Sequence, residues 1–171
     1  KALGIKMAIP YFQAKDIILK NNVAAFSSNY NLYGDMSWRV METLRIMLGK
    51  ENVEVYSVDE AFVTLESFGE KDLKQAGLRI RNTVEQWTGI KVSVGIAPTK
   101  VLCKVANHLA KDDKQGTDCV VVLSTPEEIA ETLGKTPVSS LWGVGRKYAD
   151  KLTEMHAVYT AGDLKIKSPE W

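Results

Sequence analysis

Hydrophobic and polar residues alternate along this chain in two distinct periods, and the switches between them outline its elements. Pro10 fits the first turn of a short helix through Leu19, where its missing N–H is not needed. Val23 to Phe26 reads as a short strand, and Asn29 to Asp35 as a polar, glycine-containing turn with Asp35 as N-cap. A helix then places Val40, Met41, Leu44, Met47 and Leu48 on one face, and Gly49 ends it. Val53 to Leu65 is β-branched and aromatic except at Asp59-Glu60, which predicts two antiparallel strands meeting near the acidic pair. Leu73, Ala76, Gly77, Ile80, Val84 and Trp87 recur at helical steps up to Gly89. Ile90, Val92, Val94 and Ile96 alternate with small or polar residues as in a half-buried strand. Pro98 breaks that strand, and a helix follows from Thr99 to Lys111.

Cys119 to Leu123 predicts a buried strand, and Thr125-Pro126-Glu127-Glu128 a helix start. From Val53 the order is strand, strand, helix, strand, helix, strand, helix. With one further strand and helix at the N-terminus, it becomes a ferredoxin-like α+β layer, helices on one side of a mostly antiparallel sheet. Strand signals vanish after Pro137, so a small helical unit is predicted there.

Composition narrows this little. The 171 residues are 45% hydrophobic and 25% charged, which excludes a disordered tail, a collagen or a coiled coil. Lys plus Arg number 22 and Asp plus Glu 21, so a nucleic-acid or membrane partner must be argued from local clusters. No apolar stretch is long enough to span a bilayer, and no signal-peptide pattern opens the chain. Two cysteines, Cys103 and Cys119, fit a reducing, cytoplasmic setting. A start at Lys1 and an end at Trp171 read as a piece of a longer protein.

Three clusters carry candidate chemistry. Asp59 and Glu60 sit between hydrophobic strands, where two carboxylates are costly unless water or a cation neutralises them. Mg²⁺ prefers such hard oxygens together with water and phosphate, so the pair is a candidate half-site for two-metal phosphoryl transfer. A plain polar hairpin tip is the alternative. On the helix from Thr99, Lys100, Lys104, His108 and Lys111 share one arc, opposite Val101, Leu102, Val105 and Leu109. A cationic stripe of that kind suits nucleotide or nucleic-acid phosphates; a solvated amphipathic face is the alternative. Last, Leu141-Trp142-Gly143-Val144-Gly145 precedes Arg146, Lys147 and Lys151, the pattern of a helix-hairpin-helix turn whose backbone N–H groups bind phosphate. An ordinary helical hairpin has the same outline. Together, the three read as a nucleotidyl transferase acting on DNA.

Longer strings sharpen this. They are Lys1 to Met7, Ser28-Asn29-Tyr30, Leu32-Tyr33-Gly34-Asp35-Met36-Ser37, Tyr56-Ser57-Val58-Asp59-Glu60-Ala61-Phe62, Val94-Gly95-Ile96-Ala97-Pro98-Thr99-Lys100, Ala106-Asn107-His108-Leu109-Ala110-Lys111 and Val138 to Lys151. With them nearly the whole chain resembles the Y-family translesion DNA polymerases, and specifically their UmuC-type branch.

The resemblance implies a ferredoxin-like palm at 36–136, partial helical fingers at 1–35 and the start of an all-α, helix-hairpin-helix thumb at 137–171. It implies that Asp59 and Glu60 are catalytic and ligate Mg²⁺, two ions in all, and that Lys111 and Lys1 meet the incoming triphosphate. Gly143, Gly145, Arg146 and Lys147 would then hold the DNA backbone. It further implies synthesis past damaged template bases in SOS mutagenesis, with primer-template DNA and deoxynucleoside triphosphates as substrates. A UmuD-type subunit, RecA and a sliding clamp are the implied partners of the full-length parent, which is not a membrane protein. The family's first metal-binding Asp and its steric-gate aromatic would lie before Lys1, which predicts that this piece alone is inactive. Ala8 stands where the family has glycine, and Val58 where it has isoleucine. The alternative is a non-catalytic damaged-DNA-binding module of the same ancestry.

Overall fold

The computed structural model of the chain describes residues 2–65 and 72–168. They form two compact units, one up to Gly34 and the other from Asp35 onward.

Helix α1, Tyr11–Lys20, follows Pro10 as the sequence predicts. Upstream of it Ala8 has φ 59°, a left-handed conformation that costs an L-residue roughly 1–2 kcal/mol and that glycine adopts freely. The predicted strand at Val23 to Phe26 does not form, and Phe26 is fully in solvent. A lone short strand leaves its backbone groups unpaired, and no described segment pairs with it. The predicted turn at Asn29 to Asp35 is helix instead: α2 runs Tyr30–Leu48. Asn29 accepts a hydrogen bond from the Leu32 N–H (3.0 Å) and so caps the helix six residues before the predicted cap. Asp35 lies within the helix and pairs with Arg39 one turn on (2.9 Å).

In the second unit, β1 (Val53–Val55) and β2 (Ala61–Val63) form the predicted antiparallel hairpin, with Glu54 opposite Phe62. Helix α3, Leu73–Thr88, is capped by Asp72 and ends at Gly89 in the left-handed region. Its inner face joins α2 and the hairpin in a core of Met41, Leu44, Leu48, Val53, Ile80 and Val84. Each fully buried aliphatic side chain of this kind contributes about 1.5–3 kcal/mol. Trp87, on the helical period, is nevertheless 55% exposed.

The predicted strand from Ile90 shortens to β3, Val94–Ile96, because its partner β4 is itself only Val120–Val122. Lys74 and Arg81 of α3 donate hydrogen bonds to the carbonyls of Thr117, Asp118 and Val120 and so fix the turn into β4. Here the sheet departs from expectation. β3 and β4 are parallel, and among the described residues they are not bonded to the β1–β2 pair. The reason is the intervening α4, Lys100–Asp112: a helical crossover returns the chain to its starting end, so the next strand runs the same way.

Helix α5, Pro126–Lys135, begins with a capping box between Thr125 and Glu128. Hydrogen bonds from the backbone N–H groups of Thr125 and Ser124 hold the Glu128 carboxyl below its ordinary range. A 3-10 turn at Val138–Ser140 leads to the 141–145 loop, then α6 (Arg146–His156) and α7 (Ala161–Lys165). The region after Pro137 is therefore helical, as predicted. No helix among the described residues is long and apolar enough to cross a membrane.

Candidate functional site

Asp59 and Glu60 occupy the tip of the β1–β2 hairpin. The Tyr56 and Ser57 N–H groups both donate to the Glu60 carbonyl (3.0 Å each), which closes the turn. Ser57 Oγ donates to Asp59 Oδ1 (2.7 Å) and aims that carboxylate outward. Asp59 is exposed and Glu60 half-buried.

The hairpin forms one wall of a cleft of about 950 Å³ between the two strand pairs. Asp59 and Glu60 line it together with Phe62, Gly95, Lys100 and Lys104. The wall opposite the hairpin is the start of α4, whose N-cap Thr99 accepts a hydrogen bond from Leu102 N–H (3.3 Å). Gly95 lets this helix lie directly on β3: a Cβ there would sit 2.2 Å from Asn107 N and 2.4 Å from Cys103 O. Ser93 Oγ, two residues earlier, donates to Asn107 Oδ1 (2.6 Å) across the same contact. Cys103 also lines the cleft, and burial raises its thiol pKa above the ordinary value.

The cationic stripe of α4 does not simply face solvent. Lys104 Nζ lies 2.6 Å from Glu60 Oε1 and Lys100 Nζ 2.5 Å from Glu54 Oε2. His108 approaches Asp112 one turn on (3.4 Å). Lys111 is exposed near the C-terminal end of the helix and does not line the cleft; two turns, roughly 10 Å of helix axis, separate it from Lys104. Lys1 lies outside the described residues.

A divalent cation fits the donors at the turn in part. Both are hard carboxylate oxygens, and among the described residues Asp59 Oδ2 and Glu60 Oε2 accept no hydrogen bond and make no ion pair. Two such ligands suit Mg²⁺, which retains several waters. No described cluster brings three His, Cys, Asp or Glu side chains together for a metal.

The glycine loop is built differently. Gly143 has φ 96°, the left-handed region that glycine alone enters without strain. Gly145 has φ −76°, open to any residue, and a Cβ there meets nothing within 4 Å. Its N-cap position starts α6 without a side-chain cap and without an acid in the first turn. Arg146 and Lys147 are exposed beside the unpaired amides that such a helix start presents. The segment leading in is the short 3-10 turn rather than a full helix.

An aromatic trio, which the sequence reading did not single out, joins these two places. Trp142 Nε1 donates to Tyr56 Oη (3.1 Å), and the two rings meet edge to face at 5.3 Å. Phe62 packs on both, 5.8 Å from Tyr56 and 5.6 Å from Trp142. The signal available was composition alone: a tryptophan inside a glycine turn and two aromatics flanking an acid pair.

Known proteins resemble the chain in sequence and in fold. The sequence signature described as IMS, the impB/mucB/samB family, matches residues 1–108, and that of the IMS family HHH motif matches 126–157. The chain belongs to the impB/mucB/samB family. It is 46% identical over 169 residues to Protein UmuC of Salmonella typhimurium, covering 98% of this chain and 39% of that protein. Protein ImpB of Salmonella typhimurium is 39% identical (91% and 37% covered), and DNA polymerase IV of Picrophilus torridus 30% identical (93% and 43%). The chain thus spans about two-fifths of the length of these relatives. Its α+β fold is that of DinB from Sulfolobus solfataricus (TM-score 0.73, 23% identity, 98% of this chain and 47% of that one). A Y-family DNA polymerase chimera, Dbh-Dpo4(243-245)-Dbh, is similar at TM-score 0.78, with 23% identity and 98% and 46% covered.

Proposed function

We propose that the chain is the nucleotide-adding core of a UmuC-type, Y-family translesion DNA polymerase, with primer-template DNA and deoxynucleoside triphosphates as its substrates. The observation that carries this reading is the Asp59-Glu60 tip, Asp59 exposed and Glu60 half-buried, on the rim of a cleft walled by a lysine-bearing helix. In this reading residues 1–35 are fingers, 36–136 palm and 137–171 the start of the thumb, working in the cytoplasm.

Asp59 and Glu60 would hold Mg²⁺, which when bound would screen the triphosphate charge and favour displacement of pyrophosphate from the α-phosphorus by the primer hydroxyl. Ser57 aims the Asp59 carboxylate, and the closed turn fixes the Glu60 backbone. Lys111 and Lys1 would meet the triphosphate as point charges, without reading the base. Gly143 and Gly145 would bring backbone N–H groups to a DNA phosphate, with Arg146 and Lys147 adding counterion-releasing contacts.

The test is Asp59→Ala in a polypeptide of the relatives' full length, assayed for primer extension and duplex binding on one preparation. Extension is abolished and binding retained. Extension at the wild-type rate would instead favour a DNA-binding module without catalysis.

A further inference from the structure

Among the described residues the Lys104 ammonium makes an ion pair and a cation–π contact, both at the acidic turn. Its Nζ is 2.6 Å from Glu60 Oε1 and 5.8 Å from the centre of the Tyr56 ring. Both members of the ion pair keep only 25% of their side-chain surface exposed, against 49% and 60% for the neighbouring Lys100–Glu54 pair. Water therefore screens the Lys104 pair less. The main chain on either side is fixed. The Glu60 carbonyl closes the turn, while α4 is pinned by fully buried Ala106 and by its contact with Gly95. What remains free to move is the lysine side chain.

We infer that Lys104 is the chain's own counter-ion for the acidic turn, so that Lys104 and a divalent cation compete for Glu60. This rests on the reading of Asp59 and Glu60 as metal ligands. An ammonium and a dication on one carboxylate repel each other, so occupancy by one disfavours the other. The Tyr56 face offers the released ammonium a cation–π resting place without any shift of the helix. The lysine is thus a positioning residue. It holds Glu60 in place while the turn is metal-free, and it sets how much cation is needed to claim the turn.

The test is an NMR titration of the 171-residue chain with Mg²⁺ alone, following the side-chain carboxyl carbons of Asp59 and Glu60 and the ε-methylene of Lys104. Three proteins are compared: wild type, Lys104→Met, and Lys100→Met as a control that removes the same charge nearby. In the wild type all three groups shift with one midpoint. Lys104→Met lowers that midpoint about fivefold or more, the size of an ordinary coupling between ligands, and Lys100→Met lowers it distinctly less. If Lys104→Met fails to give a folded amide spectrum, Lys104→Gln takes its place. Carboxyl shifts with Lys104 unmoved, or equal effects of the two lysine variants, would overturn the inference and leave the metal reading standing. No carboxyl response in any of the three proteins, nor in a polypeptide of the relatives' full length, would overturn the metal reading and the inference together.

Discussion

In the proposed reading the working atoms at the acidic turn are side-chain oxygens, placed by partners far away in sequence; at the glycine loop they are backbone N–H groups, placed largely by their own torsions. Lys104 and Glu60 are 44 residues apart, and α4 reaches the hairpin only because Gly95 lets it sit on β3. Gly143 needs only its own φ of 96°, and Gly145 only open space. A site of the first kind depends on the whole second unit being folded. A site of the second kind depends first on its own loop, which Trp142 ties to Tyr56 and Phe62 of the hairpin. Glycine consequently means different things in the two places: close packing at Gly95, and open space at Gly145.

The largest expected effect breaks the packing side of this contrast. Gly95→Val drives side-chain atoms into Asn107 N and Cys103 O and should cost about 3 kcal/mol of stability. A Cβ at Gly145 meets nothing, so Gly145→Val should cost only about 1 kcal/mol, the loss of a tolerated N-cap residue. Urea unfolding of the two variants side by side checks both. Equal losses would mean that the loop glycine, too, is a packing residue.

The same contrast explains what was legible in the sequence. Features written in neighbouring residues were readable: the helical period of α3 from Leu73 and its stop at Gly89, the helix start at Thr125–Glu128, the β1–β2 hairpin and the helical region after Pro137. So was the presence of the acid pair, the basic helix and the glycine loop. What failed depended on distant partners. Val23 to Phe26 has strand composition but no edge to pair with, and the extended pattern from Ile90 is cut to the length of β4. Asn29 rather than Asp35 caps α2 because its side chain accepts from the Leu32 N–H, although Tyr30 to Gly34 are mostly weak helix formers that hide the earlier start. The Lys100–Glu54 and Lys104–Glu60 pairs and the Tyr56–Phe62–Trp142 trio join segments that no periodicity relates.

Smaller effects sharpen the division of labour. Lys111→Ala should raise the KM for all four deoxynucleoside triphosphates alike, by about tenfold, the loss of roughly 1.4 kcal/mol of phosphate binding. Steady-state kinetics with each nucleotide in turn would show it, and a rise confined to one base would assign Lys111 to base reading. Smaller still, Arg146→Ala should lower the slope of log duplex affinity against log salt by about 1, whatever the DNA sequence. Gly145→Val should weaken binding across the same salt series. An unchanged affinity and slope in both variants would reduce the loop to a structural turn.

The claim that the acid pair is the cation site is tested most directly by iron-mediated cleavage of the 171-residue chain. Fe²⁺ with ascorbate and peroxide cuts the backbone beside the bound ion, and mass spectrometry of the fragments locates the cut. The account predicts cleavage within Ser57 to Glu60, suppressed by excess Mg²⁺ and lost in Asp59→Ala. Cleavage elsewhere, or at the turn but undiminished by Asp59→Ala, would contradict it.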